Sequence, residues 1–147
     1  MLYHLNEFTF DLPLTLKDKT VNVFSLHDTE PSDFSLVISR GPTLEGETIS
    51  SFTARQLQHF AKSLAGFELL RHVDLTLNQK VPATFLDFKW TSQSNAVNQW
   101  QLGFLTNDKA QGRDIAVLVT ATCKDHFTPE WGRVFESVMA TIQLRSR

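Results

Sequence analysis

One cysteine, Cys123, stands in a chain of 147 residues. A lone thiol excludes an intrachain disulfide framework and suits a reducing compartment. Basic residues hold no excess: 14 Lys and Arg stand against 16 Asp and Glu, a net charge of −2. The chain lacks the positive footprint of a nucleic-acid binder, so no nucleic acid is expected as a partner. No apolar run approaches the roughly 20 residues that a spanning helix needs, so stable membrane insertion is not expected. The start, Met1-Leu2-Tyr3-His4-Leu5-Asn6-Glu7, has neither a basic n-region nor an apolar h-region. No signal peptide is expected, and the reading is cytoplasmic. Six glycines are scattered singly, which leaves no phosphate-cradling loop. The five histidines, His4, His27, His59, His72 and His126, show no ligand spacing, so neither metal nor cofactor is expected.

What remains is ordinary globular composition, 41% hydrophobic and 20% charged. The length fits one domain over 1–147, with enough chain to bury a core. Catalytic chemistry has little support. Cys123 and His126 come nearest to a thiol–imidazole pair, but a cysteine at a strand end is usually a small buried hydrophobe. The expectation is a protein that is not an enzyme, and an enzymatic reading rests on that pair alone.

The chain is organised around residues 20–40. Thr20–Leu26 and Phe34–Arg40 read as two strands joined by the polar, proline-containing connector 27–33. Side chains alternate along a strand. Val21 and Val23 therefore share a face opposite Phe24 and Leu26, while Phe34, Leu36 and Ile38 lie opposite Val37. A half-wet antiparallel sheet reads apolar on one face only. These strands carry apolar residues on both, so one face is expected under helices and the other under a partner.

Phe8–Leu12 alternates as a first strand ended by Pro13, and Leu14–Lys19 is a turn. Gly41-Pro42 ends the strand that holds Ile38. Thr48 is the expected N-cap of a helix with apolar Phe52, Leu57, Phe60, Ala61 and Leu64, and Gly66 its C′ residue. Strands follow at Phe67–Leu77, Val81–Trp90, Val97–Leu105 and Asp114–Cys123, with turns at 78–80, 92–95 and 107–113. Thr128-Pro129-Glu130 opens a second helix with Trp131, Val134, Phe135, Val138, Met139 and Ile142 in a stripe, and Arg145 and Arg147 beyond its end. Short connections imply a mostly antiparallel sheet, an α+β fold with its helices packed on one side.

These residues carry a resemblance. Met1–Phe8, Lys19-Thr20-Val21-Asn22-Val23-Phe24, Glu30-Pro31-Ser32, Leu36-Val37-Ile38-Ser39-Arg40 and the Thr128-Pro129-Glu130-Trp131 helix start resemble the Eag adaptor chaperones of bacterial type VI secretion. These form part of a DcrB-like group once described only as a domain of unknown function. The likeness runs along essentially the full length and is strongest in the first forty residues. It implies a curved, mostly antiparallel sheet backed by two main helices, similar to PsbP, and a homodimer. It implies that the client is a secreted effector with N-terminal transmembrane helices beside a PAAR domain. The chaperone would shield those helices in the cytoplasm and help load the effector onto the VgrG spike.

Carried over by the resemblance, the client groove falls at Val21, Val23 and Ile38, at Gln58, Ala61 and Ala65 of the first helix, and at Val97 and Gln101. The residues by themselves leave two alternatives open. The second apolar face, Val21, Val23 and Val37, could lie under loops or at a dimer contact, or the groove could carry a lipid or another small apolar ligand.

Overall fold

Residues 2–4, 7–13, 15–16, 19–26, 33–108, 113–124 and 126–144 are described in a computed structural model. Several expectations fall outside them: the connector 27–32 with His27 and the Glu30-Pro31-Ser32 motif, most of the turn 107–113, Asp125, Arg145 and Arg147.

The chain opens with a small antiparallel hairpin, β1 (Leu2–His4) paired with β2 (Thr9–Asp11). The alternation at Phe8–Leu12 announces β2, whereas β1 is too short to show a period. The main sheet takes β3 (Asn22–Ser25), β4 (Phe34–Pro42), β5 (Glu68–Leu77), β6 (Val81–Ser92), β7 (Asn95–Asp108) and β8 (Arg113–Lys124). Its order is β3-β4-β8-β7-β6-β5, antiparallel throughout. β4 does not stop before Gly41-Pro42, because both residues stay in register with Ala116 and Ile115 of β8.

Two hairpins turn where the sequence places turns, at 78–80 and 92–95, but on non-glycine residues. Asn78 and Gln79 have φ of 50° and 59°, and Gln93 and Ser94 have 49° and 71°. Left-handed backbone at both central positions is what a tight turn between right-twisting strands requires.

Helix α1 (Ile49–Ser63) starts as its sequence suggests. Thr48 accepts a hydrogen bond from the Ser51 amide, and the Ser51 hydroxyl accepts one from the Thr48 amide. It ends one residue earlier than Gly66 implies: Leu64 is the C-cap, so Gly66 is the second residue beyond it, at φ 64°. Helix α2 (Pro129–Thr141) has Thr128 as N-cap, Pro129 in its first turn and Glu130 where negative charge suits the dipole.

The helices do not share a side of the sheet, which corrects the layering expected from the sequence. α2 covers one face. Its Phe135 is fully buried among Phe85, Leu102, Phe104, Val119, Ala121 and Cys123, and Trp131 stacks on Phe34 at 4.7 Å. α1 lies on the other face. Ile49 and Phe52 pack with Ala116, Leu105 and Leu118, and Phe60 meets Phe88 at 5.2 Å between ring centres. The reason is written in β6 and β7. Leu86 and Phe88 face away from Phe85, and Gly103 faces away from Leu102 and Phe104, so each face carries its own apolar set.

Candidate binding face

Directly paired residues in a ladder point to the same side. On the α1 side, one row across the sheet is Leu86–Gln101–Thr120–Val37–Val23. The next is Phe88–Gln99–Thr122–Ser35–Ser25, and on the other flank Gly103–Leu118–Ser39. α1 packs over the β6 and β7 ends of these rows. Toward β3 the helix cover runs out. Ser35, Val37, Ser39, Thr120 and Thr122 are half-buried there, and the edge strand is exposed, with Val23 at 60% and Val21, just before it, at 52%.

The result is an open strip of sheet beside α1 with an apolar rim and a floor of hydroxyls and amides. The amides are held in defined poses. Gln56 of α1 and Gln101 of β7 donate to each other reciprocally, at 3.4 and 2.8 Å. The Trp90 indole donates to Gln99 at 2.8 Å, and Gln99 donates on to Thr122 at 3.0 Å. Gln101 is only 4% exposed, so its amide is satisfied by Gln56 rather than by water.

The structure sorts the sequence-derived groove residues. Val23, Val97 and Gln101 fall on this α1 face, and Val21 lies just before the paired residues of β3. Ile38 does not. It pairs with Asn22 and Val119, and its side chain packs into the α2 core, because a step of one residue along a strand reverses the face. Gln58 and Ala61 are exposed on α1. At about 100° per residue, Gln58 lies about 200° and Ala61 about 140° around the helix from the sheet-facing Gln56, so both point away from the floor. Ala65 lies beyond the helix end, where its carbonyl accepts from the Thr91 amide at 2.8 Å, at the β6 end of the face. Residues that the sequence reading passed over are Gln56, Ser35, Ser39, Thr120 and Thr122. The alternation Ser35-Val37-Ser39 carried their signal, but a serine in a strand is not distinctive by itself.

The structure lends the Cys123–His126 pair no support as a thiol–imidazole couple. Cys123 is 1% exposed within the α2 core, and burial pushes its thiol up to about 11, while His126 is exposed. A thiol so placed stays protonated and unreactive at neutral pH. A separate polar cleft of about 550 Å³ is lined by Thr43, Leu44, Glu45, Gly46, Glu47, Asn107 and Asp114. Arg55 binds Glu47 with two donors there, at 2.8 and 3.0 Å, and holds its carboxyl below the usual range. No helix among the described residues is long and apolar enough to cross a membrane.

Comparisons with known proteins agree with this architecture. The chain is 27% identical over 141 residues to a Pseudomonas aeruginosa protein named Effector EagT6, with 94% of each covered. It superposes on the crystal structure of PA94, a Pseudomonas aeruginosa protein of unknown function, with a TM-score of 0.78. That match covers 100% of this chain and 98% of the other at 24% identity, and shows a shared fold. The DcrB family profile matches residues 7–141, nearly the whole chain, which therefore belongs to the DcrB family.

Proposed function

We propose that this chain is an adaptor chaperone of type VI secretion. It binds and shields the N-terminal transmembrane helices of a PAAR-containing effector in the cytoplasm and helps load that effector onto VgrG. It acts as a homodimer without an active site. The likeness to Effector EagT6 supports the class of client. The open strip on the α1 face carries the reading of how the client is held.

A transmembrane helix out of its bilayer presents large apolar residues and, between them, small polar ones. The strip offers both kinds of contact. Val21, Val23 and Val37 cover apolar side chains, each Leu-sized group gaining roughly 1.5–3 kcal/mol on full burial. Ser35, Ser39, Thr120 and Thr122 supply hydroxyls to the small polar positions, each net hydrogen bond adding about 0.5–1.5 kcal/mol. A few such contacts suffice against aggregation, yet a bilayer competes with them, which suits transient protection. A carrier of a lipid or other small apolar ligand fits less well, because an alkyl chain would leave that polar floor unpaired.

The test is a detergent-free pull-down from the native bacterial lysate, followed by mass spectrometry. The expected result is a stable complex with one large protein bearing apolar N-terminal helices. Recovery of homodimer alone, with a small apolar mass retained in native mass spectrometry, would replace the chaperone with the carrier.

A further inference from the structure

We infer that Arg40 is a positioning residue, which fixes the outer wall of the binding face from behind the sheet. The inference rests on the groove reading above. β3 is paired with β4 along only four residues, Asn22–Ser25, and Val21 lies just before it. β4 runs on past that pairing to Pro42. Arg40 stands two residues beyond Ile38, the partner of Asn22, and so opposite position 20. From there its Nη1 donates to the Thr20 carbonyl at 3.3 Å and to the Asn22 Oδ1 at 3.0 Å.

Those two acceptors flank Val21 in the sequence. One guanidinium nitrogen thus brackets the backbone that presents Val21, and extends the β3–β4 pairing beyond its last ladder pair. Arg40 shares its face with Leu36 and Ile38, which pack toward α2, whereas Val23 faces the α1 side with Val37. A client lying on the α1 side cannot touch Arg40. Its influence on binding must pass through the backbone of residues 20–22. The effect is preorganisation: a wall already ordered in the free protein loses less freedom when a client settles against it. The Ile38-Ser39-Arg40 segment then divides its labour among the α2 core, the floor of the strip and the fastening of the rim.

The experiment compares wild type, Arg40→Ala, Arg40→Lys and Val23→Asp. Hydrogen–deuterium exchange is read across 19–26, and affinity is read by anisotropy of a labelled helical peptide of about 24 Leu, Ala and Ser residues. Arg40→Ala is expected to speed exchange in 19–26 while the rest of the sheet keeps its protection, and to weaken peptide binding about tenfold, the scale of one or two lost hydrogen bonds. Arg40→Lys keeps the charge on a single ammonium and recovers part of both effects. Unchanged exchange at 19–26 in Arg40→Ala overturns the inference, whatever the peptide does. So does full recovery of binding by Arg40→Lys while exchange stays fast, since charge alone would then be the cause. Wild-type-like peptide binding by Val23→Asp refutes the groove itself, and the exchange result still decides the fastening.

Discussion

Val23→Asp separates what the proposed binding face does from what the fold needs. Val23 is 60% exposed on an edge strand, so in the free protein an aspartate there meets water. The stability cost is the scale of strand propensity, about 0.5–1 kcal/mol. Under a client helix the balance changes. Fully burying a Val-sized side chain is worth about 1.5–3 kcal/mol, and the exposed share leaves about 1–2 kcal/mol for a client to gain. The aspartate forfeits that and adds the desolvation of an unpaired carboxylate, several kcal/mol more. The sum exceeds about 4 kcal/mol, a thousandfold loss of affinity. Val23→Ala, which loses only apolar contact, should cost about fivefold. Ile38→Asp is the counterpart on the other face: it places a charge against the α2 core and should unfold the protein rather than release the client. Circular dichroism melts and client titrations on the three variants decide the matter. A folded Val23→Asp protein that binds its client within threefold of wild type would refute the assignment of this face.

Gly132→Ala should lower the melting temperature by several degrees: a Cβ there falls 3.0 Å from Trp100 Cη2, and Trp100 is locked by stacking on Phe127 at 4.4 Å. That overpacking, about 1–3 kcal/mol, outweighs a helix-propensity gain of up to about 1; in a Trp100→Phe background the same change should be neutral or stabilising, and calorimetry of the double-mutant cycle reads the difference. Ser94→Gly should raise the melting temperature by roughly 2–4 °C, because it relieves a φ of 71° in the β6–β7 turn; an unchanged midpoint would mean that the turn stores no strain. Cys123 should react with an aromatic disulfide reagent at pH 8 only after denaturant is added, its thiol being buried and pushed up to about 11; rapid labelling of the native protein would contradict the α2 core. Glu47 has its carboxyl lowered by Arg55, so its contribution to stability is present above its ordinary value of 4.5 and is lost as pH falls through the lower folded value. Glu47→Gln should therefore flatten the acid limb of the stability–pH curve, and a limb of unchanged slope would show that the pair contributes nothing.

Much of the fold was legible because its signals are local. Both N-caps, the first turn of α2, the hairpin at 92–95 and the alternation in β6 and β7 depend on residues within a few positions of one another. The site was less legible for the opposite reason. Whether Ile38 belongs with Val23 depends on which residues of β3 and β4 stand opposite each other, and one residue of difference moves it from rim to core. The position of the helix residues was hidden in a similar way. Gln56 and Gln58 are near in sequence but lie on opposite sides of α1, and only the docking of the helix selects Gln56 for Gln101.

By itself the sequence determined the antiparallel α+β character, the number of helices and where each begins. It also carried an excess of apolar residues on β3 and β4 that no single core requires. Only the tertiary structure decided that the two helices take opposite faces of the sheet. Periodicity says which residues of an element are buried together, but not against what. That choice follows from the separate apolar sets on β6 and β7, Phe85 with Leu102 on one face and Phe88 with Leu86 on the other, each needing its own cover. One helix per face cannot span six strands, and the uncovered remainder beside β3 is the strip proposed to bind the client.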